Sequence, residues 1–174
     1  MTSVLVAAGS NVAPIVNLRI ALDVLQLHFA PLRISNAYRN AAVGFAGDDF
    51  VNLVVGFDTG LPLEAVVARL HEAEAACGRE RLAARWAPRA MDLDILLYGD
   101  LICDEPGLKL PRPDLLRRPY MLAPAAEIAP DLRHPTQHES LGALWRKMQD
   151  EQSHVMTPVD LGWQPRASGQ DRDA

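Results

Sequence analysis

Apolar positions along the chain switch between two periods, and each switch marks an element. Residues 4–8, Val4-Leu5-Val6-Ala7-Ala8, form a short apolar run stopped by Gly9-Ser10-Asn11, the pattern of a buried strand ending in a turn. Helical spacing follows: Leu18, Ala21, Leu22, Leu25 and Phe29 share one face across residues 17–29, and Pro31 closes the segment. Looser alternation through Leu32, Ile34, Asn36 and Tyr38 predicts a second strand over residues 32–39. A Gly/Ala-rich loop over residues 40–49, placed to cover a ligand, leads to a third strand over residues 50–57. Thr59-Gly60-Leu61-Pro62 then turns the chain into a second helix, whose stripe is Leu63, Val66, Val67, Leu70, Ala73 and Glu74 and whose stop is Gly78.

A fourth strand over residues 92–98 completes the order βαββαβ. That order predicts an α+β fold of the ferredoxin-like kind, a sandwich with an antiparallel sheet and helices on one face. Beyond it Pro106, Pro111, Pro113, Pro119, Pro124 and Pro130 divide a Pro-rich C-terminal extension into short pieces, of which residues 121–128 and 140–149 have helical patterns. The expectation is a single domain over residues 1–150 and a polar tail over residues 151–174 that is partly disordered near its end.

Composition narrows the function classes. At 174 residues and 49% hydrophobic content the chain has material for one core. A net charge of -5 argues against a general nucleic-acid binder, although the segment 79–89 is locally basic. Cys77 and Cys103 form no CxxC pair, which fits a reducing compartment. The N-terminus lacks a basic leader, and no apolar run is long enough to span a bilayer. A cytoplasmic monomer with small-molecule substrates and no membrane partner is expected.

The chemistry concentrates at Met91-Asp92-Leu93-Asp94-Ile95-Leu96-Leu97-Tyr98, where two acids interrupt a strand of otherwise buried type. Side chains alternate along a strand, so Asp92 and Asp94 project from one face with Cα atoms ~6.5 Å apart, while Leu93, Ile95 and Leu97 point the other way. Two anions sharing one surface require a cation over them, and Mg²⁺ is the natural candidate. Arg79, Arg81, Arg85 and Arg89, just upstream, could neutralise those acids or hold a polyphosphate that a metal also touches. Metal plus arginines points to phosphoryl transfer.

Arg85-Trp86-Ala87-Pro88-Arg89-Ala90-Met91-Asp92-Leu93-Asp94-Ile95-Leu96-Leu97-Tyr98-Gly99 resembles the signature of the 6-hydroxymethyl-7,8-dihydropterin pyrophosphokinase family, RWGPRTLDLDLLLYG. The similarity extends to the Gly9-Ser10-Asn11 turn, Asn17-Leu18, Phe50-Val51-Asn52 and Glu127-Ile128-Ala129-Pro130-Asp131-Leu132, and covers residues 4–145. It implies transfer of diphosphate from ATP to the pterin hydroxymethyl group in folate biosynthesis, releasing AMP. By position, the resemblance makes Asp92 and Asp94 the ligands of two Mg²⁺ ions and puts Arg79 and Arg89 beside them as catalytic residues. It assigns Glu74, Arg81, Trp86, Arg112 and Arg118 to the nucleotide. For the pterin it implies Asn52 on the amide-like edge, Phe50 and Tyr120 on the ring faces, and backbone groups of Val43 and Gly44. The chain departs from the family pattern at Leu110-Pro111-Arg112-Pro113, where a histidine is usual instead of Arg112, and at Ala87, Ala90, Leu82 and Asn40-Ala41-Ala42.

Each of these residues also has a plainer reading. The arginines suit a solvated helix end, Arg89 a salt bridge to the acids, Trp86 loop packing, and Phe50 and Tyr120 an ordinary core. Glu74 would then pair with an arginine and Asn52 be a satisfied buried amide. His28, His71, His134, His138 and His154 show no ligand spacing. Two other functions compete: a homologue that binds pterin or nucleotide with altered substrate or weak activity, and a palm-like nucleotidyltransferase, since similar sheets carry paired aspartates. The acidic charge weighs against the latter.

Overall fold

The computed structural model describes residues 1–40, 49–78, 91–151 and 155–166. Its centre is β1 (Thr2–Ser10), which pairs antiparallel with β4 (Phe50–Thr59) on one side and β5 (Asp92–Tyr98) on the other. Next to β4 lie two short strands, β2 (Arg33–Ile34) and β3 (Ala37–Asn40), where the sequence predicts one continuous strand. The break falls at Ser35, whose backbone N–H donates to Val54 O at 3.0 Å while its Oγ accepts from Val54 N at 2.9 Å. Its hydroxyl thus substitutes for a ladder partner.

Helices α1 (Pro14–Phe29) and α2 (Leu63–Ala76) cover one face of the sheet. Leu18, Leu22, Leu25, Val66, Leu70 and Ala73 meet Val4, Val6, Leu53, Val55, Leu93 and Ile95, and Phe29 stacks on Phe57 with ring centroids 4.1 Å apart. The other face is not left to solvent. The hairpin β6 (Cys103–Glu105) and β7 (Leu108–Leu110) leads through a 3-10 turn at Pro113–Leu116 to α3 (Pro119–Ile128) and α4 (Leu141–Glu151). Leu115, Leu122, Ala125, Ala126 and Leu141 pack there on Leu5, Ala7, Val54, Leu96 and Leu97. The expectation of helices on one face therefore needs correcting: the Pro-rich extension supplies a second helical layer. This explains why β1 is buried along both of its faces.

A register shift between Leu5 and Val6 gives β5 an extra residue against β1. Leu93 and Ile95 face α1 and α2 as expected, but Leu97 lies opposite Leu5 and joins the α3 layer. Simple alternation misassigns Leu97 because a bulge resets the count.

The last described segment also differs from its polar appearance. β8 (Thr157–Val159) adds to β3, Leu161 is buried, and Trp163 Nε1 donates to Asp23 Oδ1 at 2.9 Å. The side chain of Gln26 bonds both backbone polar groups of Arg166, and Arg19 Nε donates to Leu161 O. Two apolar residues and side chains of α1 tie down a stretch whose composition reads as tail; the expected disorder at the end falls on residues outside the description. No helix among the described residues is long and apolar enough to cross a membrane.

Two stability tests follow from this packing. Leu122, 1% exposed between α3 and the sheet, should cost about 2–5 kcal/mol when truncated to alanine, read by urea unfolding. His134 is buried with Nδ1 facing the backbone N–H groups of Thr136 and Gln137, both at 3.3 Å, so the ring is held neutral. Burial first, then His138, lowers its pKa. The unfolded chain therefore takes up the proton first, and this contribution is present above about pH 6.5 and lost as pH falls through the folded-state value. The urea midpoint should drop between pH 7.5 and 5.5 by less in His134→Asn, which keeps an acceptor without a titrating ring, than in the parent.

Candidate active site

The sheet register brings the chain's polar strand residues into one row. Asp92 on β5 lies opposite Gly9 on β1, Gly9 opposite Asn52 on β4, and Asn52 opposite Tyr38 on β3. In the next row Asp94 lies opposite Ala7, and Ala7 opposite Val54. Both aspartates thus stand on the α3 face, as the two-residue period requires. The smallest side chains of β1 lie between them and β4, and that choice opens a cleft of about 240 Å³.

Gly9 is needed for its size. A Cβ there would fall 2.5 Å from Asn52 Oδ1, so the Asn52 amide occupies space that only glycine leaves open. Phe50, two residues before Asn52, and Tyr120 and Met121, in the first turn of α3, also line the cleft. Burial raises the pKa of the Tyr120 phenol, opposed by Arg118, raised further by Asp114, lowered by Arg112 and raised by Asp94. The ring therefore sits neutral amid four charges.

Arg112 enters the same cleft from the turn after β7. Its backbone N–H donates to Leu96 O at 2.9 Å, and its Nη1 lies 3.4 Å from Asp94 Oδ1. Its Nε is 3.8 Å from Asp114 Oδ2, and Arg118 Nε is 3.9 Å from the other oxygen of the same carboxylate. Asp114 is the site residue that sequence reasoning missed. Its signal was an acid flanked by Arg112 and Arg118, two before it and four after, in a turn opened by Pro113.

Glu74, expected among nucleotide contacts, does not line this cleft. It is buried on α2 at the opposite face, where its Oε1 accepts the Leu93 N–H at 2.9 Å. β5 is the last strand of the sheet, so Leu93 N–H and Leu96 C=O point to an edge that β1 cannot serve. Glu74 takes one and the Arg112 backbone the other, and the peptide joining Asp92 to Leu93 is clamped. Arg118 caps α3 beside the cleft rather than lining it. Val43, Gly44, Arg79, Arg81, Trp86 and Arg89 lie outside the described residues, as do Leu82, Ala87 and Ala90.

Among the described residues no three His, Cys, Asp or Glu side chains gather into a metal-holding group. Two strand carboxylates open to a cleft nonetheless suit Mg²⁺, which binds one or two carboxylates and completes its shell with water and substrate phosphate. Arg112, 3.4 Å from Asp94, and Arg118, 3.9 Å from Asp114, add a second class of phosphate binder. Three carboxylates and one guanidinium line the cleft, so it would take a polyanion only with cations on the acids.

Similarity to known proteins decides the family. The model of 7,8-dihydro-6-hydroxymethylpterin-pyrophosphokinase (HPPK) matches residues 5–130. The chain belongs to the HPPK family. A 2-amino-4-hydroxy-6-hydroxymethyldihydropteridine pyrophosphokinase from Pseudomonas aeruginosa is 41% identical over 137 residues, 76% of this chain and 83% of the relative. One of the same description from Synechocystis is 36% identical over 133 residues, 75% of this chain and 68% of that one. Among solved structures, wild-type HPPK-DHPS of Plasmodium falciparum matches 88% of this chain with a TM-score of 0.67 at 12% identity, which speaks for the fold alone. This chain spans 46% of that one.

The packing of the HPPK cleft is testable without ligand. Gly9→Ala should destabilise by about 1–3 kcal/mol, because the Asn52 amide must move. Gly60→Ala, whose Cβ would meet only Met1 Sδ at 3.8 Å, should stay within about 0.5 kcal/mol. Urea unfolding of the two variants makes the comparison; equal losses would mean that Gly9 is not a packing constraint.

Proposed function

We propose that this chain transfers diphosphate from ATP to the hydroxymethyl group of 6-hydroxymethyl-7,8-dihydropterin and releases AMP, as a step of folate biosynthesis. The observation that carries the reading is the meeting of Asp92 and Asp94 with Asn52, Phe50, Tyr120 and Arg112 around one cleft, in a chain of the HPPK family. The proposed products imply the bonds: the pterin hydroxymethyl oxygen bonds to the β-phosphorus and gives up its proton to solvent, the bond from that phosphorus to the α–β bridging oxygen breaks, and AMP departs with the electron pair.

Asp92 and Asp94 would hold two Mg²⁺ ions. Bound there, the ions would offset charge on the phosphate oxygens and help align the attacking and leaving groups. The chain's own residues do the rest. Arg112 and Arg118, bridged by Asp114, grip phosphate oxygens, and their fork geometry suits that partner. Arg79 and Arg89 serve the transferring group, and Arg81 and Trp86 the nucleotide. Phe50 and Tyr120 take the faces of the flat pterin, while Asn52, with a donor and an acceptor on one amide, reads its edge. Val43 and Gly44 offer backbone groups to the same ring. Glu74 acts on the site through the strand it clamps.

The strand order β5-β1-β4-β3, all antiparallel, with α1 and α2 crossing one face, supports a ferredoxin-like assignment for the βαββαβ core. We read residues 1–150 as one pyrophosphokinase domain and residues 151–174 as its tail, in a cytoplasmic monomer.

Protein incubated with ATP, Mg²⁺ and the pterin alcohol should give AMP and pterin diphosphate; ADP as product would contradict the reaction type. Tight ligand binding without AMP would favour the binding homologue. Asp94→Ala should lower turnover by at least about 100-fold, more than is usual for a residue that only supports a metal ligand, with an unchanged far-ultraviolet circular dichroism spectrum. An unfolded variant would instead make Asp94 a structural acid.

A further inference from the structure

The guanidinium at position 112 faces the carboxylate expected to bind metal. Arg112 Nη1 is 3.4 Å from Asp94 Oδ1, and both side chains are about one-third exposed, at 34% and 39%, so water screens the pair only partly. The backbone of Arg112 is held by its bond to Leu96 O and by prolines on either side. Only the side chain is left to move. A second carboxylate, Asp114, stands within reach at 3.8 Å from Nε, so the guanidinium has a place to go.

We propose that Arg112, besides its contact with phosphate, is a resident counter-cation: it occupies the Asp94 carboxylate until nucleotide arrives, and so makes divalent-cation binding depend on the polyphosphate. The inference rests on the reading of Asp92 and Asp94 as metal ligands. A divalent cation arriving alone must displace Nη1 from Oδ1 and then sit beside a positive charge, and both effects weaken its binding. A polyphosphate changes the balance. It supplies anionic oxygens to the displaced guanidinium, so nucleotide and metal favour each other's binding, and the coupling is reciprocal.

The test is titration of nucleotide-free protein with Mg²⁺ by calorimetry and with Mn²⁺ by electron paramagnetic resonance. Arg112→Ala and Arg112→Gln should bind either ion about five- to tenfold more tightly than the parent, in line with loss of a partly screened ion pair. Arg112→Lys, which keeps the charge, should remain weak. Arg118→Ala removes an equal charge whose contact is Asp114 rather than Asp94, and should change the affinity by no more than about twofold. Circular dichroism confirms that each variant is folded. Unchanged or weaker affinity in both neutral variants overturns the proposal, as does an equal gain in Arg118→Ala, which would make the effect general electrostatics. AMP formation by the parent reports separately on the proposed reaction: turnover together with unaltered metal affinity in the variants removes this inference and leaves that reading standing. Absence of metal binding in every form, with no AMP produced, removes both.

Discussion

Two carboxylates on adjacent same-face positions of a strand set the terms for the rest of this molecule. Asp92 and Asp94 stand where a buried sheet would carry valine or leucine, and their repulsion cannot be relieved by packing, only by cations or water. The surrounding structure is arranged around that demand. β1 narrows to Gly9 and Ala7 beside the acids, Arg112 reaches in from the turn after β7, and Asp114 steadies the arginines. Glu74 and the Arg112 backbone satisfy the exposed edge of β5, so the acids project from a strand that is held on both sides.

The two faces of the sheet divide the work. Under α1 and α2 the interior is continuous and apolar apart from Glu74 and Asn17, with Phe29 stacked on Phe57 and the pKa of the Cys77 thiol pushed up to about 11, chiefly by burial. Under α3 and α4 the core is smaller and stops short of the row that holds Asp92, Gly9 and Asn52. The polar end of that second face is the cleft. Tyr38 and the Asn36 N–H both donate to Glu127, each at 2.9 Å, and so fasten α3 to β3, the neighbour of β4.

Much of this was legible in the residues. β1, β4, β5 and the two main helices follow from periodicity, β5 with the bounds of the run from Asp92 to Tyr98, while the strand expected over residues 32–39 is broken at Ser35 into β2 and β3. Three further features were not legible, each for a physical reason. Leu97 changed faces because a bulge adds a residue without any sequence mark. The helical patterns over residues 121–128 and 140–149 do mark α3 and α4, but their packing as a second layer on the other face of the sheet is a long-range contact that local spacing does not carry. The segment ending at Arg166 looked like solvent-exposed tail because its anchors are single side chains, Leu161 and Trp163, rather than a periodic stripe. In the site, the acids and the aromatic and amide positions were readable from motif. Asp114 and the steric role of Gly9 required the third dimension, since neither distance nor register between separate elements is written in local spacing.

Under the proposed function, divalent cations shared with a triphosphate balance Asp92 and Asp94 during turnover. Diffraction at the manganese edge from crystals grown with Mn²⁺ and a nonhydrolysable ATP analogue tests it most directly. Anomalous peaks are expected about 2.2 Å from oxygens of both carboxylates, with analogue phosphate oxygens completing the shell. A fully occupied analogue with no peak at either acid, and with both carboxylates bonded only to guanidinium groups, would contradict it.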